Sequence, residues 1–136
     1  MIQKALYEIL TTDATFMAAI GTDTRGSYKV YPVGVPNGVP PPFCVYQVTG
    51  VTPSPTKGHV SGLDISSMRL TIYDAEYLDV ANLAIYARTA LDNYMGTANG
   101  VTVDRIEFAS ASDGIENIQG TDGLYFMNLD FNCWHR

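Results

Sequence analysis

The sequence predicts an α+β domain. It calls for an antiparallel sheet of about four strands with helices packed on one face, in the order ααββαββ, and with a long β-hairpin arm. Three observations lead there. Apolar residues recur at helical spacing in two separate regions, near the amino terminus and over residues 80–94. Four other segments are β-branched and aromatic, or alternate between apolar and polar side chains. Five of the seven prolines fall in VYPVGVPNGVPPPFCVYQV, residues 30–48, where Pro32, Pro36 and Pro40 to Pro42 cannot lie inside a helix or a central strand.

In chain order, Ile2, Leu6, Ile9 and Leu10, then Phe16, Met17 and Ile20, predict a helical region over 2–20. Thr12 or Asp13 is placed to cap a second short helix, and Gly21 ends it. TDTRGSYK is a polar loop, and Val30 and Tyr31 stand at a sheet edge before the proline connector. Because Pro32, Pro36 and Pro40 to Pro42 fix φ and lack a donor, the connector is stiff and extended. It delivers the chain to a strand over 43–49. GVTPSPTKGHVSGL follows as a long polar arm, and a second strand over 64–73 alternates Met68, Leu70 and Ile72 with Ser67, Arg69 and Thr71. The two strands form an antiparallel hairpin with an extended tip.

Asp74 is read as the cap of the next helix, with Glu76 in its first turn. Val80, Leu83, Ala84, Ala87, Ala90, Leu91 and Tyr94 make its apolar stripe, and the helix runs to about Met95 and stops at Gly96. After the turn TANG come a strand over 101–109 and the polar loop SASDGIENIQGTDG. A final strand sets Tyr125, Met127, Leu129, Phe131 and Cys133 against Asn128, Asp130 and Asn132.

The chain has 136 residues, enough for one domain spanning 1–136 with a core that needs no staples. Charged residues are 16% of the chain against the roughly 25% usual in soluble proteins. Such a surface favours an oligomer or a packed assembly. Net charge is −6, and the eight basic residues are scattered singly. That pattern excludes a phosphate-wrapping protein, which needs clustered Lys and Arg. The two cysteines, Cys44 and Cys133, lie in predicted strands and read as buried free thiols. MIQKALYEIL lacks the pattern of a signal peptide, and no apolar stretch approaches the roughly 20 residues of a membrane span. A soluble protein made in a cytoplasm, with no membrane partner, is expected.

The chemistry-bearing residues do not converge. His59 lies in the arm and His135 is penultimate, so neither has a local carboxylate or Cys partner. HExxH, CxxC, GxSxG and phosphate-cradling loops are absent. Asp104 and Glu107 differ by three along a strand and point to opposite faces. Asp113, Glu116 and Asp122 do not match a calcium loop. The expectation is a protein that is not an enzyme, with no catalytic residue, cofactor or metal. The arm is the one candidate site: Pro53, Pro55, Thr56, Lys57 and His59 are read as assembly contacts, since so long a connection in a compact domain is often functional.

Taken together, the N-terminal helix, VYPVGVPNGVPPPFCVYQV, the helix YDAEYLDVANLAIYARTALD and the closing strand GLYFMNLDFNCWHR resemble the tail-completion, or tail-terminator, proteins of long-tailed bacteriophages. The resemblance covers nearly the entire chain and rests on the order and spacing of short structural motifs. The chain departs from the family pattern at Asn128 and Asn132, where a charged residue often sits. The resemblance implies a homo-oligomeric ring, commonly of six subunits, in the tail or neck of the virion and assembled in the host cytoplasm. That ring sits at the head-proximal end of the tail tube, stops tube polymerisation and joins the tail to the head connector. Its partners are then its own copies, the tail tube protein and a head connector or head-closure protein, with viral DNA passing through the lumen without specific binding. Acidic groups lining that lumen would repel DNA, in keeping with the −6 balance. Alternatives in the same class are a head-closure protein and a tail-tube subunit. A small ligand-binding or enzymatic α+β domain is the alternative from a different class.

Overall fold

The computed structural model describes residues 2–23, 26–34, 39–56, 59–116 and 123–136, with side chains of 53–56 and 59–63 left aside. Helices α1 (Ile2–Thr12) and α2 (Ala14–Ile20) come first, then strands β1 (Val30–Pro32), β2 (Phe43–Thr56) and β3 (His59–Asp74). Helix α3 (Tyr77–Leu91) precedes β4 (Gly96–Ala98), β5 (Val101–Glu116) and β6 (Leu124–His135). The strands form one six-stranded sheet in the order β1-β2-β3-β6-β5-β4.

This corrects the predicted fold class. The chain is mostly β, its order is ααβββαβββ, and the sheet is mixed because β1 runs parallel to β2. The two additional strands are three residues each, too short for any periodicity to register. β1 lies on the sheet edge, where Pro32 and its missing N–H are tolerated. β4 begins at Gly96, where the sequence predicts the helix stop. It turns into β5 through Asn99 and Gly100, both at positive φ, the backbone required by a two-residue hairpin turn.

Other boundaries move for local reasons. Asp13 does cap α2, its Oδ1 accepting from Phe16 N at 2.9 Å. Asp74 does not cap α3. Its carboxylate accepts from Ala75 N at 2.6 Å, and Glu76 occupies the cap position without a side-chain bond. α3 ends at Leu91 because Asn93 adopts a positive φ and its N–H donates to Ile106 O at 2.8 Å, which ties the chain to β5. β5 continues to Glu116 through residues whose polarity suggested a loop. β6 pairs with it throughout, and bulges at 103/105 and 108/110 reset the register. The arm, too, is strand backbone, with Pro55 opposite Val60 and Thr56 opposite His59.

All three helices pack on one face. α1 buries Ile2, Ala5, Leu6, Ile9 and Leu10, and α3 buries Val80, Leu83, Ala84, Ala87 and Leu91. Beneath them lie Met68, Leu70 and Ile72 of β3 and Leu129, Phe131 and Cys133 of β6. Phe131 meets the edge of Phe108 at 5.7 Å, and the Arg88 guanidinium covers the Phe108 ring at 3.9 Å. The helices therefore take every second residue of the central strands. Among the described residues, no helix covers the face that the alternate residues form.

Candidate assembly surface

The uncovered face consists of rows running across β2, β3, β6 and β5. In the middle row Arg69 stands opposite Asp130, which stands opposite Ser110. Arg69 Nε and Nη2 donate to the two carboxylate oxygens of Asp130 at 2.8 and 3.3 Å, and Ser110 Oγ donates to Oδ2 at 3.1 Å. The hydrogen bond from Arg69 holds the Asp130 carboxyl below its ordinary range, against the opposing effect of partial burial. One row along, Thr71 Oγ1 donates to Asn128 Oδ1 at 2.7 Å, and Asn128 Nδ2 reaches Ser112 Oγ at 3.4 Å. Ser67 Oγ donates to Asn132 Oδ1 at 3.3 Å on the other side. Opposite charges close on each other, so the middle of the face is polar and locally neutral.

An aromatic row bounds the face at one end. Phe43 meets Tyr73 at 5.2 Å and Tyr73 meets Phe126 at 5.9 Å. Gly114 completes it because the Phe126 ring lies over its Cα: a Cβ there would be 2.8 Å from Phe126 Cζ. A hollow of about 390 Å³ opens beside this row, lined in part by Val33, Phe43, Val45, Glu116 and Leu124. At the opposite end Arg105 lies 5.6 Å from the Trp134 ring and pairs with Glu107 at 2.7 Å.

On the helix side the outer surface of α3 exposes Leu78 and Ile85, at 75% and 59%. His135, which has no local carboxylate or Cys partner in sequence, is held across the strands within 2.6 Å of Ser66 Oγ. Burial lowers its pKa. Cys44 and Cys133 are free and buried; burial raises both thiols, Cys133 to about 12.

Of the predicted arm contacts, Lys57 lies outside the described residues, as do the side chains of Pro53, Pro55, Thr56 and His59. Their strand backbone places four of them on the β2–β3 hairpin. Asp104 pairs with Arg136 at 2.9 Å, and Asp113 accepts from Tyr77 Oη at 2.6 Å. Among the described residues no group of three or more His, Cys, Asp or Glu could hold a metal ion. The Arg69–Asp130 pairing was not anticipated. Its signal was present, since both residues occupy the wet positions of alternating strands, but cross-strand register was needed to bring them together.

What this surface offers chemically is shape, neutral hydrogen-bonding groups and strand edges. The fold matches a chain of the solved virion of a native gene transfer agent particle, with a TM-score of 0.72 and 18% sequence identity, covering 98% of this chain and 93% of that one. At that identity the likeness is one of fold. No curated protein sequence matches the chain. The family described as Tail completion protein gp17 matches residues 4–136, nearly the full length. The chain belongs to the tail completion protein gp17 family.

Proposed function

We propose that copies of this chain close into a ring, six in number, at the head-proximal end of the phage tail tube. The ring ends tube polymerisation and presents a surface to the head connector. The observation that carries the reading is membership, over residues 4–136, of a tail completion family, a family of structural proteins of the virion tail and neck. The surface supports it. A locally neutral sheet face without a helix among the described residues, and the exposed Leu78 and Ile85 of α3, suit protein contacts, and a chain with 16% charged residues gains by covering such surface. The protein acts by binding and not by catalysis, and the acidic balance lets DNA pass the lumen without adhering.

Sizing the purified protein, alone and with tail tube protein, tests the ring. A single closed species that blocks further tube growth is expected, whereas open-ended polymers of the chain itself would identify a tube subunit. Particles lacking the protein should show overlong or headless tails; normal tails with heads that leak DNA would identify a head-closure component instead. Within this reading the arm residues Pro53, Pro55, Thr56, Lys57 and His59 are contacts to a neighbour. Deleting residues 53–58 should leave a folded monomer, and unchanged assembly would remove the arm from the interface.

A further inference from the structure

We infer that neighbouring copies join through their sheets, the free outer edge of β5 in one copy pairing antiparallel with the β2 side of the next. This rests on the ring reading and names the surface that would build it. β5 is 16 residues long, but β4 covers only Val101 to Val103. The α3–β4 connection then reaches Ile106 O through Asn93 N and Phe108 N through Asp92 Oδ1. From residue 109 to 116, β5 has β6 on one side and, among the described residues, no strand on the other. At the far side of the sheet β1 covers only Cys44 to Tyr46 of the 14-residue β2, and Val33 N adds a bond to Tyr46 O. From residue 47 to 56, β2 likewise has a strand on one side alone among the described residues.

Unpaired rows of N–H and C=O groups recruit other strands, and proteins usually block them with Lys, Pro or a cover. β5 carries neither Lys nor Pro over ASASDGIE; its charges are Asp113, held by Tyr77, and Glu116, while Ala109, Ser110, Ala111, Ser112 and Gly114 leave room for a second backbone. β2 carries neither charge nor proline over QVTGVT, residues 47–52.

Strand direction selects the occupant. β2 to β3, β3 to β6 and β6 to β5 are each antiparallel steps, so β5 runs opposite to β2. A rotation about an axis along the strands carries one copy to the next without reversing any strand. The neighbour's β2 therefore arrives antiparallel to β5, with the helix-covered faces on the same side. Such a head-to-tail contact repeats around a closed ring, whereas pairing β5 with β5 would end at a twofold dimer.

The test is a disulfide scan with the full chain, alone and with tail tube protein. Thr49→Cys or Val51→Cys is combined with Ala111→Cys or Asp113→Cys. Within one copy β2 and β5 are separated by three strand spacings, about 14 Å, so a bond between these positions cannot form inside a subunit. The expected result is a ladder of covalent oligomers on a non-reducing gel for at least one pair. Hydrogen exchange of unmodified assemblies should also show the 109–116 amides slowed about tenfold or more relative to dilute protein. A ring that forms by sizing, with no cross-linked pair and unprotected amides, overturns the edge pairing and leaves the ring intact. A chain that stays monomeric with tube protein overturns both.

Discussion

Two phenylalanines five residues apart on β6 report directly on which face of the sheet is core. Phe131 is 1% exposed beneath the helices and meets Phe108 edge-on at 5.7 Å. Phe126 lies on the uncovered face, half-buried against Tyr73 at 5.9 Å. Truncating Phe131 to Ala removes a fully packed ring, a loss of about 4 kcal/mol including the aromatic pair. Truncating Phe126 removes chiefly its ring contact, about 1 kcal/mol. At roughly 4 °C per kcal/mol for a domain of this size, Tm should fall by about 15 °C in one case and about 4 °C in the other. Thermal unfolding followed by circular dichroism measures both Tm shifts, and urea unfolding the two free-energy losses, with unchanged m-values confirming that only stability has moved. Equal losses, or a larger one for Phe126→Ala, would refute the reasoning. A one-residue slip of β6 exchanges its two faces, so that result would mean a different register.

Three further outcomes follow from the same geometry. Gly114→Ala should cost about 1–3 kcal/mol by forcing a Cβ against the Phe126 ring, and most of that cost should vanish in a Phe126→Ala background; a double-mutant cycle measures the coupling. His135 has a lowered pKa through burial, so its neutral form belongs to the fold. Its contribution is present above the unfolded value of about 6.5 and is lost as pH falls through the lower folded value; unfolding midpoints between pH 7 and 5 should fall more steeply than in His135→Gln. Cys44 and Cys133 should resist a thiol reagent at neutral pH in the folded chain and react in urea, because both are buried with raised pKa values. Rapid labelling of either without denaturant would contradict their placement in the core.

The central strands and helices were legible because each exposes its period. Met68, Leu70 and Ile72 on β3 and Leu129, Phe131 and Cys133 on β6 occupy every second position, and Val80, Leu83, Ala84, Ala87 and Leu91 form a helical stripe; all are buried. β1 and β4 escaped because three residues carry no period, and their strand character comes from a partner supplied elsewhere in the chain. The outer half of β5 read as a loop because most of its residues are exposed, so that no burial imposes apolar alternation. Asp74 was a plausible cap by type and position, yet the chain takes Glu76 into that place and leaves Asp74 buried beside Ala75.

By itself the sequence determined the apolar faces of its long elements, the absence of clustered chemistry in its motifs, and an order of landmarks that resembles a tail completion family. Those are properties of neighbouring residues, set by local periodicity and by backbone limits at proline and glycine. The tertiary structure decided the six-strand order, the mixed sheet, the Arg69–Asp130–Ser110 row and the two unequal edges that no described strand pairs beyond β1 and β4. Each depends on register between strands distant in sequence. Hydrogen bonding and side-chain packing across the whole sheet fix that register together, and no single strand contains it.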